Sequence, residues 1–157
     1  MNRLAITAAS MIAITLTAHA YETAAPLALP QLLVAAQTAV DTCRAQGYAV
    51  TVTVLDPDLS TRLVLRGDGA AERTVEISRR KAYTVLKTGM SSGDFGKTVP
   101  TSALAADPSL ITWAGGLPIR IHGVIVGAMS ASGAPGGEKD EACVTAGLGK
   151  IAGAATP

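Results

Sequence analysis

Gly115-Gly116-Leu117-Pro118-Ile119, then His122-Gly123-Val124-Ile125-Val126-Gly127-Ala128, then Ser132-Gly133 and the acidic run Glu138-Lys139-Asp140-Glu141 decide the fold. They read as strand, two-residue turn, strand, glycine-rich loop and helix start. A His-Gly turn suits the positive φ of a tight hairpin, because His tolerates the left-handed region better than most side chains and Gly enters it freely. Strands joined so tightly are antiparallel. Carboxylates over 138–141 complement the positive end of a helix, which the pattern extends to about Ile151.

Upstream lies a second hairpin. Val50, Val52 and Val54 alternate with Thr51 and Thr53, as in a strand with one buried face. Asp56-Pro57-Asp58-Leu59-Ser60 is a turn, and Thr61 to Arg66 returns as the next strand. A helix precedes this pair: Pro30 suits a first turn, Leu32, Ala36, Ala39/Val40 and Cys43 form an apolar stripe, and Gly47 ends it. After Gly67-Asp68-Gly69 a helix is expected from about Arg73 to Thr88. Val75, Ile77, Ala82, Val85 and Leu86 are its expected core face. Ser91 to Asp107 has no strong period and reads as a long connection with one short helix near Ser102–Ala105. Ile111–Ala114 is a candidate extra strand. The elements add up to an α+β domain, one antiparallel sheet of about five strands covered by three helices.

The N-terminus carries a different signal. Asn2-Arg3, an uncharged and mostly apolar run from Leu4 to Leu16, and Ala18-His19-Ala20 have the anatomy of a secretory signal peptide. Residues 1–20 are therefore expected to be removed, 21–28 to form a flexible leader, and 29–154 to be a single domain. The location implied is periplasmic or secreted, with no membrane span in the mature chain. Removal takes Arg3 with it and leaves basic and acidic residues balanced. With no basic stripe and few aromatic side chains, nucleic acid is not an expected partner. Cys43 and Cys143 remain, in an oxidising compartment that favours pairing. A bridge would close a loop of about 100 residues, worth about 4–5 kcal/mol in the chain-entropy model; two buried free thiols on separate helices are the alternative. No C-x-x-C-H is present, so covalent c-type haem attachment is excluded.

Several of these motifs together resemble one family. Val52-Thr53-Val54-Leu55-Asp56, Arg66-Gly67-Asp68-Gly69-Ala70, Lys81-Ala82, Gly115-Gly116-Leu117-Pro118-Ile119, Gly123, Val126-Gly127-Ala128, Ser132-Gly133 and Asp140-Glu141 follow the order seen in the GlcG/HbpS-like, haem-degrading domains. The C-terminal domain of PduO-type proteins belongs with them. Gly67 departs from the methionine usual there. The resemblance implies a profilin-like α/β/α sandwich, a homo-oligomer, and a haem or similar tetrapyrrole bound non-covalently, in some relatives for haem degradation or redox sensing.

The residues offer a short set of candidates for that role. His122, the only histidine left after cleavage, is the candidate axial iron ligand, although its position in the turn is the stronger account of it. Tyr83 and Met90 are further candidate ligands. Arg66 and Lys81 are candidates for a carboxylate, with Asp68 able to cap the Arg66 turn. Gly133 to Gly137 lack the G-K-[ST] of a phosphate loop. No Ser/His/Asp or Cys/His set stands out, so dedicated catalytic machinery is not visible. An enzyme or accessory subunit acting on a small organic acid is the alternative to haem binding, suggested by Arg66, Lys81 and the glycine loop.

Overall fold

The computed structural model describes residues 27–98 and 103–154. The expected signal peptide, and all of the leader except Leu27 and Ala28, lie outside the described residues. Leu27 itself packs into the core, and its carbonyl accepts a bond from Arg62 Nη2 at 3.2 Å.

In chain order the elements are α1 (Leu29–Ala45), β1 (Thr51–Leu55), β2 (Thr61–Arg66), α2 (Arg73–Thr88), α3 (Ser92–Thr98), a 3-10 turn (Ala103–Ala106), β3 (Gly116–Ile121), β4 (Val124–Ser132) and α4 (Gly137–Leu148). The sheet is antiparallel with order β2-β1-β4-β3. Among the described residues it has four strands, not about five. The segment Ile111–Ala114 is not a strand: side chains of α2 and α3 bond the Ile111 amide and the Trp113 carbonyl, and α2 also holds the residues just before it. Ile111 N donates to Thr84 Oγ1 at 2.9 Å, and Arg80 reaches the carbonyls of Pro108, Ser109 and Leu110. The long connection also holds α3, which the sequence pattern did not suggest. Ser91 Oγ accepts from Asp94 N across its first turn, and Phe95 anchors it in the interior.

Helices α1 and α4 cover one sheet face and α2 the other. On the first face Val52, Val54, Leu117, Ile119, Met129 and Ala131 meet the small residues of α1. Those residues let α4 come close: a Cβ on Gly147 would stand 2.5 Å from the Ala35 carbonyl and 3.2 Å from Ala39 Cβ. Cys43 and Cys143 are joined across this contact as a disulfide, with Cα atoms 5.6 Å apart and both residues fully buried.

The second face is unusual. The alternation in β1 was expected to separate core from solvent, yet all five of its residues are buried. Thr51 and Thr53 point toward α2. The apolar face expected for that helix is only part of what it buries: Thr74, Ser78 and Lys81 lie inside with Ala82 and Val85, while Val75, Ile77 and Leu86 are half-exposed.

Candidate functional site

Thr74, Ser78 and Lys81 sit at steps of four and three, so they form one stripe along α2. Opposite them the sheet presents hydroxyls. Thr51 Oγ1 bonds Thr74 Oγ1 at 2.7 Å, Thr53 Oγ1 bonds Ser78 Oγ at 2.7 Å, and Ser130 Oγ donates to the Ser78 carbonyl at 2.6 Å. Buried polar groups are tolerated when paired in this way.

Lys81 lies at the end of the stripe. Its ammonium donates to the Ala131 carbonyl at 2.9 Å and to Asp140 Oδ2 at 2.7 Å. Asp140 stands in the first turn of α4, and its other oxygen accepts from Ala134 N at 2.9 Å. Burial pulls the Lys81 amine below its usual range, opposed by the Asp140 charge. Burial likewise raises the Asp140 carboxyl, opposed by Lys81. Close contact, with Lys81 and Ala134 N each donating to one Asp140 oxygen, holds the two as an ion pair. Gly115 makes room for it, since a Cβ there would sit 2.8 Å from Lys81 Nζ. The preceding segment is pinned from two sides: Ser92 Oγ donates to the Trp113 carbonyl and accepts from Gly116 N, and Glu141 accepts from Gly115 N. The Trp113 indole is left outside, 58% exposed.

A cavity of about 360 Å³ opens beside this pair. Arg73, Thr74, Ile77 and Lys81 of α2 form one wall, the glycine-rich turn at Ser132–Ala134 and Gly136–Gly137 with Asp140 another, and Trp113 the rim. Arg73 and Trp113 did not stand out in the sequence.

The five candidates from the sequence fall at two ends of the sheet. Arg66 ends β2 on the cavity side, where Nε donates to the Ala70 carbonyl at 2.8 Å and braces the turn. Lys81 is enclosed as described. At the other end His122 occupies the hairpin turn, exposed, with φ 49°. Met90, also exposed, follows Gly89 at the end of α2. Arg120 links these two regions through bonds to the Gly89 and Gly123 carbonyls. Tyr83 packs half-buried against Leu55, Ala82, Val85 and Ala128. Strand β4 separates the two ends by roughly 25 Å at about 3.3 Å per residue.

A haem site needs a flat apolar wall, a cation for a propionate and an axial ligand. The cavity supplies Trp113, Ile77 and Arg73, but among the described residues no His, Tyr, Met or Cys lines it. The hairpin end supplies His122 and Met90. The residues thus fit parts of a haem at each end. Among the described residues no group of three or more His, Cys, Asp or Glu side chains forms a metal site, and no helix is long and apolar enough to cross a membrane.

Residues 27–149 match the family model of haem-degrading HbpS-like proteins. A double mutant of Streptomyces reticuli HbpS superposes with TM-score 0.76 at 30% identity, over 91% of this chain and 97% of that one. The Klebsiella pneumoniae protein ORFY gives 0.73 at 22% identity, over 80% and 90%. The PduOC:heme complex gives 0.76 at 20% identity, over 83% and 98%. No curated protein matches the sequence.

Proposed function

Because the chain belongs to the HbpS-like family, we propose that it is an exported protein that binds haem or a similar tetrapyrrole non-covalently, assisting haem degradation or redox sensing. The observation that carries this reading is the family match over nearly the whole described chain. The same fold holds haem in the PduOC complex. Residues 1–20 act as the signal peptide, 21–28 as a leader, and 29–154 as the binding domain.

His122 is the residue assigned to the iron, with Met90 close by through the Arg120 bridge. Tyr83, on α2, is a further candidate. When bound, haem supplies the redox chemistry of its iron; the protein supplies a neutral imidazole and a place to bind. An exposed hairpin tip is poorly shielded from water, so the site is completed by a neighbouring copy in a homo-oligomer. Exposed Leu29, Leu33 and Val34 on α1 and Val64 on the edge strand β2 support self-association.

Titration of the chain with haemin tests the reading. The expected result is a saturable Soret change with a dissociation constant below about 1 μM, shifted and weakened in His122→Ala. An unaltered spectrum in that variant moves the iron ligand elsewhere. No saturable change at all sinks haem binding.

A further inference from the structure

Every arginine in the described chain except one donates to a protein partner. Arg44, Arg62 and Arg79 meet carboxylates, while Arg66, Arg80 and Arg120 meet backbone carbonyls. Arg73 has no partner among the described residues, and it lines the cavity beside Lys81. A free guanidinium fork at a cavity wall matches the two oxygens of a carboxylate. Lys81 lines the same space with three N–H donors, of which Ala131 and Asp140 take two. The one acidic side chain in the lining, Asp140, already has both oxygens engaged. Glu138, packed over Gly136, and Glu141, on Gly115 N, put carboxylates near the α4 wall, so the place for a negative group is the opposite wall, at Arg73.

The rest of the lining says what the guest's body is like. Trp113 presents an unpaired indole at the rim, and Ile77 adds an aliphatic surface. Gly133, Gly136 and Gly137 project nothing into the opening. The volume is at the lower end of the roughly 300–1,000 Å³ typical of small-molecule sites, enough for one ring and too small for a whole macrocycle. We propose that this cavity binds a small monocarboxylate with a flat unsaturated body, its carboxylate on Arg73 and its ring against Trp113, at a site separate from the haem. The site does not depend on the haem reading, which concerns the far end of β4.

Trp113 is the sole tryptophan of the chain, so its fluorescence reports occupancy directly. The probe is benzoate, with benzamide and acetate as comparisons. Benzoate is expected to change the emission saturably, with a dissociation constant below about 1 mM. Benzamide lacks the charge and acetate lacks the ring, so each is expected to bind at least about tenfold more weakly. Arg73→Gln is expected to weaken benzoate roughly 10- to 100-fold while leaving the thermal midpoint unchanged, since the side chain is exposed and unpaired. Trp113→Ala, followed by calorimetry, weakens it as well. Equal binding of benzoate and benzamide, or an unaffected Arg73→Gln, overturns the proposal. Equal binding of acetate removes the flat body and overturns it too. Haemin is expected not to displace benzoate in calorimetric competition; displacement overturns the separate site. Failure of haemin to bind leaves the benzoate measurement, and this conclusion, standing.

Discussion

Lys81 Nζ lies 2.7 Å from Asp140 Oδ2, with the two side chains only 2% and 4% exposed. The pair connects helices on opposite faces of the sheet, passing the end of β4 where Ala131 offers its carbonyl. It therefore fixes the cavity wall, and its energetics are open to test.

Lys81→Met removes one partner and leaves Asp140 buried without its cation. The expected cost is about 3–5 kcal/mol, read from urea unfolding. Adding Asp140→Leu is expected to recover more than half of that loss, because the uncompensated charge goes with it. A double variant as unstable as the single one would show that the cost lies in packing.

The same variant has a defined pH dependence. Burial already raises the Asp140 carboxyl above its ordinary value of 3.8, and loss of Lys81 raises it further. A carboxyl whose folded value exceeds its unfolded one stabilises fully below the unfolded value. That contribution is lost as pH climbs through the folded value. Lys81→Met is thus expected to lose stability more steeply than the parent chain as pH rises above the ordinary carboxyl value of 3.8. Urea midpoints across that range check it, and parallel curves would refute it.

Gly147→Ala pushes a methyl into the α1 contact, toward the Ala35 carbonyl at 2.5 Å and Met129 Cε at 2.8 Å. The expected loss is about 1–3 kcal/mol. Gly149→Ala is the control: its nearest neighbour would be 3.5 Å away, and its thermal midpoint is expected to stay close to that of the parent.

The Cys43–Cys143 bridge spans 100 residues and is wholly buried. Replacing both cysteines with alanine is expected to cost about 4–5 kcal/mol if loop entropy dominates. Because neither sulfur is accessible, the thiol-disulfide state of the parent is expected to resist reductant until denaturant opens α1 from α4. Rapid reduction in native buffer would contradict this.

Local rules were enough for much of this chain. The His122-Gly123 turn needed a residue tolerant of positive φ, and His122 has φ 49°. The apolar stripe of α1 and both hairpins follow from periods of 3.6 and 2. What those periods cannot convey is a buried face that is polar. Assigning Val75, Ile77 and Leu86 to the interior assumes that inside means apolar. That assumption fails when the facing strands bring hydroxyls of their own.

Thr51 and Thr53 find Thr74 and Ser78 more than twenty residues away, and Lys81 finds Asp140 at a separation of 59. No local pattern encodes such meetings. The sequence alone determined α1, α2, α4, the hairpins and their turns, because those depend on neighbours in the chain. Only the tertiary structure decided that Ile111–Ala114 would stay out of the sheet, held by side chains of α2 and α3, that Lys81 would be shut in, and that Arg73 and Trp113 would share a cavity. Each of these is set by which distant donor or acceptor reaches a polar group first.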